Sequence, residues 1–331
     1  MRLSFAFILL LFVCCSESVM GAEKIKGISF VGSSEPIDST DVKPIIDINA
    51  NWVTLMPYGL VQNGGEVSFN TKWQWWGEKD FGVIETIRLC QAKGLKIMLK
   101  PQIYIHNKQT GDYKCESESD WQIFENSYRK FILHFSEIAS AYNVDLFCLG
   151  TEWRDFIKKR ASFWMTLIGD VKNNYSGQLT YAANWDDYQK VPFWSELDFI
   201  GVNGYFPVSL NKNPGLNEIK KGWQIHAESL GEFAEKQNQK ILFTEIGYRS
   251  MIVATVQPWE FNTRSKSSES IQTKAYKALF DVLWDKDWFA GMFIWKWYHN
   301  HSKQGGNGTL GFTPQNKPAQ ELIKKFWGSQ D

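Results

Sequence analysis

The chain has 331 residues, 44% hydrophobic and 22% charged, enough to enclose a large core of its own. Lys plus Arg and Asp plus Glu number 36 each, and without a basic surplus the electrostatic footprint of a nucleic-acid binder is excluded. Sixteen Trp, 12 Tyr and 23 Phe exceed what a core requires; flat apolar rings with a polar handle suit the faces of sugars, so a neutral ligand fits best.

At the N-terminus, Arg2 precedes an apolar run from Phe5 to Val13 and then small residues, the pattern of a secretory signal; the run is too short to span a membrane. Cleavage is expected near Gly21, making residues 1–21 a signal peptide and 22–331 one catalytic domain, secreted or periplasmic. Cys14 and Cys15 leave a lipid-anchored form open, although Phe12 and Val13 are bulkier than a lipoprotein cysteine ordinarily follows. Cleavage near Gly21 leaves Cys90, Cys115 and Cys148, an odd and scattered set, so disulfides are not expected to frame the fold.

Eight apolar runs of strand length follow in order: residues 25–31, 51–58, 96–104, 146–153, 178–185, 199–206, 241–248 and 290–298. Amphipathic stretches lie between them. In Asp120–Tyr142 the residues Phe124, Tyr128, Phe131, Phe135, Ile138 and Tyr142 recur every three or four positions, as one buried helical stripe requires. Helices are also expected over Asp80–Lys93, stopped by Gly94, and over Gly215–Lys236, Ser268–Asp285 and Pro318–Trp327. Eight β/α units in this length predict a single (β/α)8 TIM barrel, with Ser250–Ser268 as a long loop after the seventh strand.

Two runs end on a carboxylate: LFCLGTEW carries Glu152 and ILFTEIGY carries Glu245. Strands of a parallel barrel are buried on both faces, so a Glu at the exit end sits on the rim where barrel enzymes place their chemistry. The two Glu lie about three βα units apart and face one rim. Retaining glycoside hydrolysis needs such a pair, one carboxyl protonated for the leaving oxygen and one ionised for the anomeric carbon. Either Glu alone is equally well read as an ion-paired rim residue; together they favour catalysis.

These motifs, with GISFVG, LKPQIY, GVNGYF, TEIGYRS and FIWKWY, resemble a clan A glycoside hydrolase. Within that clan the whole mature chain is similar to glycoside hydrolase family 113, whose characterised members act mainly on β-1,4-mannans. The resemblance implies that Glu152 is the general acid/base, Glu245 the nucleophile, and Tyr205 a donor to the nucleophile. One departure is Thr151, where many clan members carry an Asn that contacts the sugar 2-hydroxyl; which group reads that hydroxyl here is open.

Other candidate sugar contacts are Lys100, Asn203, Tyr58 and Asn184. Lys100 is equally well read as the partner of a carboxylate, since a charge left unpaired there is costly. Trp295 and Trp297 alternate and should share one strand face, with at most one touching sugar. Trp153, Trp185 and the cluster Trp73, Trp75, Trp76 fall at or beyond strand ends, where exposed rings mark a polysaccharide groove; the cluster is also readable as a loop anchored on its own side chains, and packing is the competing reading for Trp295 and Trp297. His299 and His301 lack a third ligand for zinc, and Cys148 reads as a small buried side chain, so no metal or other cofactor is expected. The expected partner is a polysaccharide or oligosaccharide, with no nucleic acid, no transmembrane span and a monomeric chain. Another β-1,4 linkage, an exo-mannosidase or a non-catalytic carbohydrate-binding barrel are the alternatives.

Overall fold

The computed structural model describes residues 23–106, 108, 110–260 and 265–330. The expected signal segment, with Cys14 and Cys15, lies outside the described residues. Eight strands close into one barrel in sequence order: β1 (Ile25–Phe30), β2 (Trp52–Leu55), β3 (Lys96–Leu99), β4 (Leu146–Thr151), β5 (Gln178–Asn184), β6 (Ile200–Asn203), β7 (Ile241–Ile246) and β8 (Phe289–Trp297). All neighbours pair parallel, with β1 closing on β8 through Ile25 opposite Gly291. No described helix is long and apolar enough to cross a membrane.

Alternation along each strand splits the core in two. One set of side chains fills the barrel, among them Ile25, Trp52, Met98, Leu146, Cys148 and Phe293; the other packs outward against the helices. Space inside is tight. Phe293 meets Trp52 edge-on at 6.2 Å between ring centres, and a Cβ on Gly27 would lie 2.3 Å from the Phe293 ring. Gly27 is therefore the space that Phe293 occupies.

The helices are α1 (Ser39–Ile46), α2 (Asp80–Gln91), α3 (Glu118–Ala141), α4 (Arg154–Lys159), α5 (Ala161–Asn174), α6 (Leu216–Gln237), α7 (Glu269–Leu283) and α8 (Pro318–Gly328). A capping box starts α3: Ser117 accepts from Asp120 N–H while Asp120 accepts from Ser117 N–H. Its stripe is buried as expected at Phe124, Tyr128, Phe131 and Phe135. Gly94, at φ +79°, ends the turn after α2. The apolar periodicity does not signal α1, α4 and α5; α1 is only eight residues long and is set by a capping box from Asp38 to Asp41. Between β5 and β6 the described chain makes two 3-10 turns, Tyr188–Lys190 and Trp194–Glu196, in place of a full helix.

Two of the expected strands divide between the barrel and a second sheet. The runs 51–58 and 96–104 leave the barrel at Leu55 and Leu99, and their ends pair again in a separate three-stranded sheet, Tyr58–Val61, Val67–Ser68 and Gln102–Tyr104. Pro57 and Pro101 explain the break, because proline gives no N–H to the ladder. The chain resumes with Gln102 N–H donating to the Pro57 carbonyl at 2.9 Å and Tyr58 opposite Gln102. This second sheet carries Tyr58 and Gln102 to the mouth of the barrel.

Gly27→Ala should lower stability by about 1–3 kcal/mol through overpacking, and adding Phe293→Leu should recover part of the loss. Urea unfolding of the two single variants and the double variant measures the coupling; an unchanged midpoint for Gly27→Ala would refute the tight interior.

Candidate active site

Glu245 is the penultimate residue of β7 and is 6% exposed. An isolated buried carboxylate is costly, and three donors meet this one. Lys100 Nζ, fully buried, forms an ion pair with Oε1. Gln102 Nε2 donates to the same oxygen at 3.0 Å, and the Tyr205 hydroxyl donates to Oε2 at 2.9 Å. Burial, reinforced by the charge of Glu245, holds the Tyr205 phenol well above its usual range, so it remains a donor at neutral pH. Lys100 thus takes the carboxylate-pairing reading of the two open in the sequence. Gln102 was not among the sequence candidates; the signal for it was the Lys-Pro-Gln order, which ends the barrel strand and returns the next side chain to the mouth.

Glu152 follows β4 in a different setting. Its backbone has φ +60°, a left-handed conformation uncommon for a residue with a side chain, and its N–H donates to the Ala182 carbonyl at 2.8 Å. The side chain is partly buried and accepts one hydrogen bond, from Asn203 Nδ2 at 2.8 Å. Burial, and next the nearby charge of Glu245, push its pKa from the usual 4.5 up to about 7; the Asn203 hydrogen bond and the charge of Lys100 act the other way. Asn203 is oriented in turn by the Thr244 hydroxyl, which donates to its Oδ1 at 2.9 Å. Asn203 therefore spans the two strands: its backbone lies opposite Glu245 and its side chain holds Glu152.

The aromatic candidates separate. Trp295 is partly exposed, with its ring 5.9 Å from Lys100 Nζ, beside the carboxylates. Trp297 does not share that face. It is fully buried in the outer core and stacks on His301 at 5.3 Å, because the β1–β8 register shifts between Ile294 and Trp297 and the alternation of β8 breaks at its end. Trp153 also lies in the core rather than in a groove: it is 1% exposed, its indole N–H donates to the Tyr128 hydroxyl, and its backbone N–H donates to Tyr181. Its place is to anchor the turn that presents Glu152. The Thr151 hydroxyl is sealed from solvent with no partner, so as placed it does not reach a ligand.

Trp185 stays partly exposed and stacks on Trp259 at 5.3 Å. Tyr58 is half-buried, and burial with the charges of Glu245 and Glu78 raises its phenol. Asn184 ends β5 opposite Asn203. His299 bonds Ser33 and His301 bonds Gln315, and among the described residues no group of three His, Cys, Asp or Glu side chains could hold a metal ion. Cys90, Cys115 and Cys148 are free thiols, and burial pushes Cys148 up to about 11, out of nucleophile range.

A parallel eight-stranded barrel with one ion-paired Glu and one proton-retaining Glu at the ends of β7 and β4 is the architecture of a glycoside hydrolase. Residues 34–317 match the family model of Glycoside Hydrolase Family 113, and the chain belongs to that family. Among solved structures it is similar to a GH113 β-mannanase from Alicyclobacillus acidocaldarius, with TM-score 0.81 and 23% identity over 93% of this chain and 98% of that one. A GH113 β-1,4-mannanase follows at TM-score 0.79 and 21% identity, over 93% and 99%. A Faecalibacterium prausnitzii β-glucuronidase shares the barrel at TM-score 0.63 and 16% identity, over 92% of this chain and 49% of that one. No curated protein matches the chain.

Raising the Glu152 pKa has a cost that pH reveals. The native state holds this proton more tightly than the unfolded chain, so the associated stability is present below about pH 4.5 and lost as pH rises through about 7. Glu152→Gln, which does not titrate, should therefore gain thermal stability over the parent at pH 8 and not at pH 4.5, with an upper bound of about 3 kcal/mol. Paired calorimetric scans at the two pH values decide it.

Proposed function

We propose that the protein is a retaining glycoside hydrolase that cleaves β-1,4-mannosidic linkages in mannan or mannooligosaccharides by double displacement. The observation that carries this reading is the unequal setting of the two carboxyls. Three donors surround Glu245, whereas Glu152 has one donor and a pKa pushed up to about 7. Environments that differ in this way separate a nucleophile from an acid.

In the first step Glu245 attacks the anomeric carbon while Glu152 protonates the departing glycosidic oxygen, leaving a glycosyl ester on Glu245. In the second, Glu152 takes a proton from water, the water oxygen attacks the same carbon, and the ester breaks with retention. Lys100, Gln102 and Tyr205 hold Glu245 in one orientation for attack. Trp295 is placed to floor the sugar at the cleavage point. Two solved relatives described as β-mannanases support the choice of mannan. The sequence of residues 1–21 supports export, which N-terminal sequencing of the secreted protein would check.

Purified mature protein should release reducing sugar from galactomannan and glucomannan but not from cellulose or xylan, and Glu245→Gln should lower kcat by 10⁴-fold or more. Because Glu152 must carry a proton, kcat/KM should fall as pH rises through about 7. Activity confined to cellulose or xylan would overturn the substrate. Turnover surviving in Glu245→Gln would overturn the mechanism, and binding of mannan without turnover by the parent would leave a carbohydrate-binding barrel.

A further inference from the structure

In the run Lys72-Trp73-Gln74-Trp75-Trp76 the burial rule is inverted. Trp73 is 81% exposed and Trp75 52% exposed, while the Gln74 between them is 7% exposed. An indole ordinarily buries a large apolar area and a glutamine seeks water, so two indoles held in solvent on either side of a buried glutamine need a reason.

The loop that displays them is bolted down. Gln74 accepts from the Thr71 N–H at 2.9 Å and donates from Nε2 to the Tyr58 carbonyl at 2.6 Å. Three residues on, the Gly77 N–H donates to the Ser33 carbonyl at 2.8 Å, and Trp76 packs edge-on against Phe81. Lys72 Nζ lies 4.6 Å from the centre of the Trp73 ring, covering part of that ring and leaving the rest open.

This display is continuous with the carboxyl pair. Gln74 is tied to the Tyr58 carbonyl, Tyr58 lies opposite Gln102 in the second sheet, and Gln102 donates to Glu245. We propose that Trp73 and Trp75 form a stacking platform for the main chain of a β-1,4-linked polysaccharide, engaging sugar units beyond those held at Glu152 and Glu245. Equatorially linked pyranoses present apolar C–H faces along a chain, and rigid indoles receive such faces with little loss of side-chain entropy. The platform makes the polymer, rather than a short oligosaccharide, the preferred substrate. The inference rests on the mannan-hydrolase reading for its substrate but not for the binding itself.

The test uses the full mature chain carrying Trp73→Ala with Trp75→Ala, and a second variant carrying Tyr at both positions. For the Ala pair, the ratio of kcat/KM on galactomannan to that on mannotriose should fall at least tenfold, and the Tyr pair should restore most of it. An unchanged ratio, or an equal fall on both substrates, overturns the platform. Affinity electrophoresis separates this from the function itself. In the Glu245→Gln background, gels containing glucomannan, cellulose derivative or xylan should retard the protein, and the Ala pair should weaken the retardation severalfold. If the parent cleaves no mannan, the proposed function fails while this gel result still decides the platform; no retardation, or retardation unchanged by the Ala pair, overturns it.

Discussion

The structure of the site depends on one constraint: a carboxylate placed at the end of a buried strand must be given donors. Glu245 could not remain on β7 at 6% exposure without them. The strongest is Lys100, a fully buried cation immediately after β3, which lies across the barrel from β7 in strand order. Each charge makes the burial of the other tolerable, and removing either alone would leave an uncompensated ion in the interior. The Pro101 break supplies the next donor, because ending the ladder after Lys100 frees the chain to return Gln102 to the same oxygen. Tyr205, two residues past the end of β6, completes the set.

The second carboxyl is defined by what it lacks. Glu152 sits in the same field with a single donor, and burial together with the charge of its neighbour keeps its proton on to about pH 7. Asn203 joins the halves of the site: Thr244, adjacent to Glu245 on β7, orients it, and it orients Glu152. Trp153 supports the arrangement from behind, with its indole pinned to Tyr128 and its backbone to Tyr181. A rim of this kind can separate an acid from a nucleophile without a metal ion, because ordinary side-chain electrostatics supply both protonation states.

Much of this was legible in the chain. Apolar runs of strand length marked all eight strands, since parallel barrel strands are buried on both faces and read as unbroken hydrophobic segments. The carboxylates that end two of those runs stood out against that background, and the long stripe of α3 followed from its spacing. What escaped was local or three-dimensional. The short α1 is set by a cap rather than by periodicity, and α4 and α5 lie in a stretch whose pattern did not mark them. Trp153 and Trp297 look like Trp185 and Trp295 in sequence, because an indole at a strand end has the same composition whether it turns inward or outward.

The sequence by itself determined the barrel and the two rim carboxylates, because these rest on hydrophobic period and on polar residues that interrupt it, both of which are local properties; the family followed from the resemblance of its strand-end motifs. Only the tertiary structure decided that Lys100 pairs with Glu245, that Gln102 joins it, that Asn203 serves Glu152, and which indoles face water. Those outcomes depend on closing the barrel, which brings residues more than a hundred positions apart, such as Lys100 and Glu245, within bonding distance. Pairing of buried charges and donors is a property of that closure, and no window along the chain contains it.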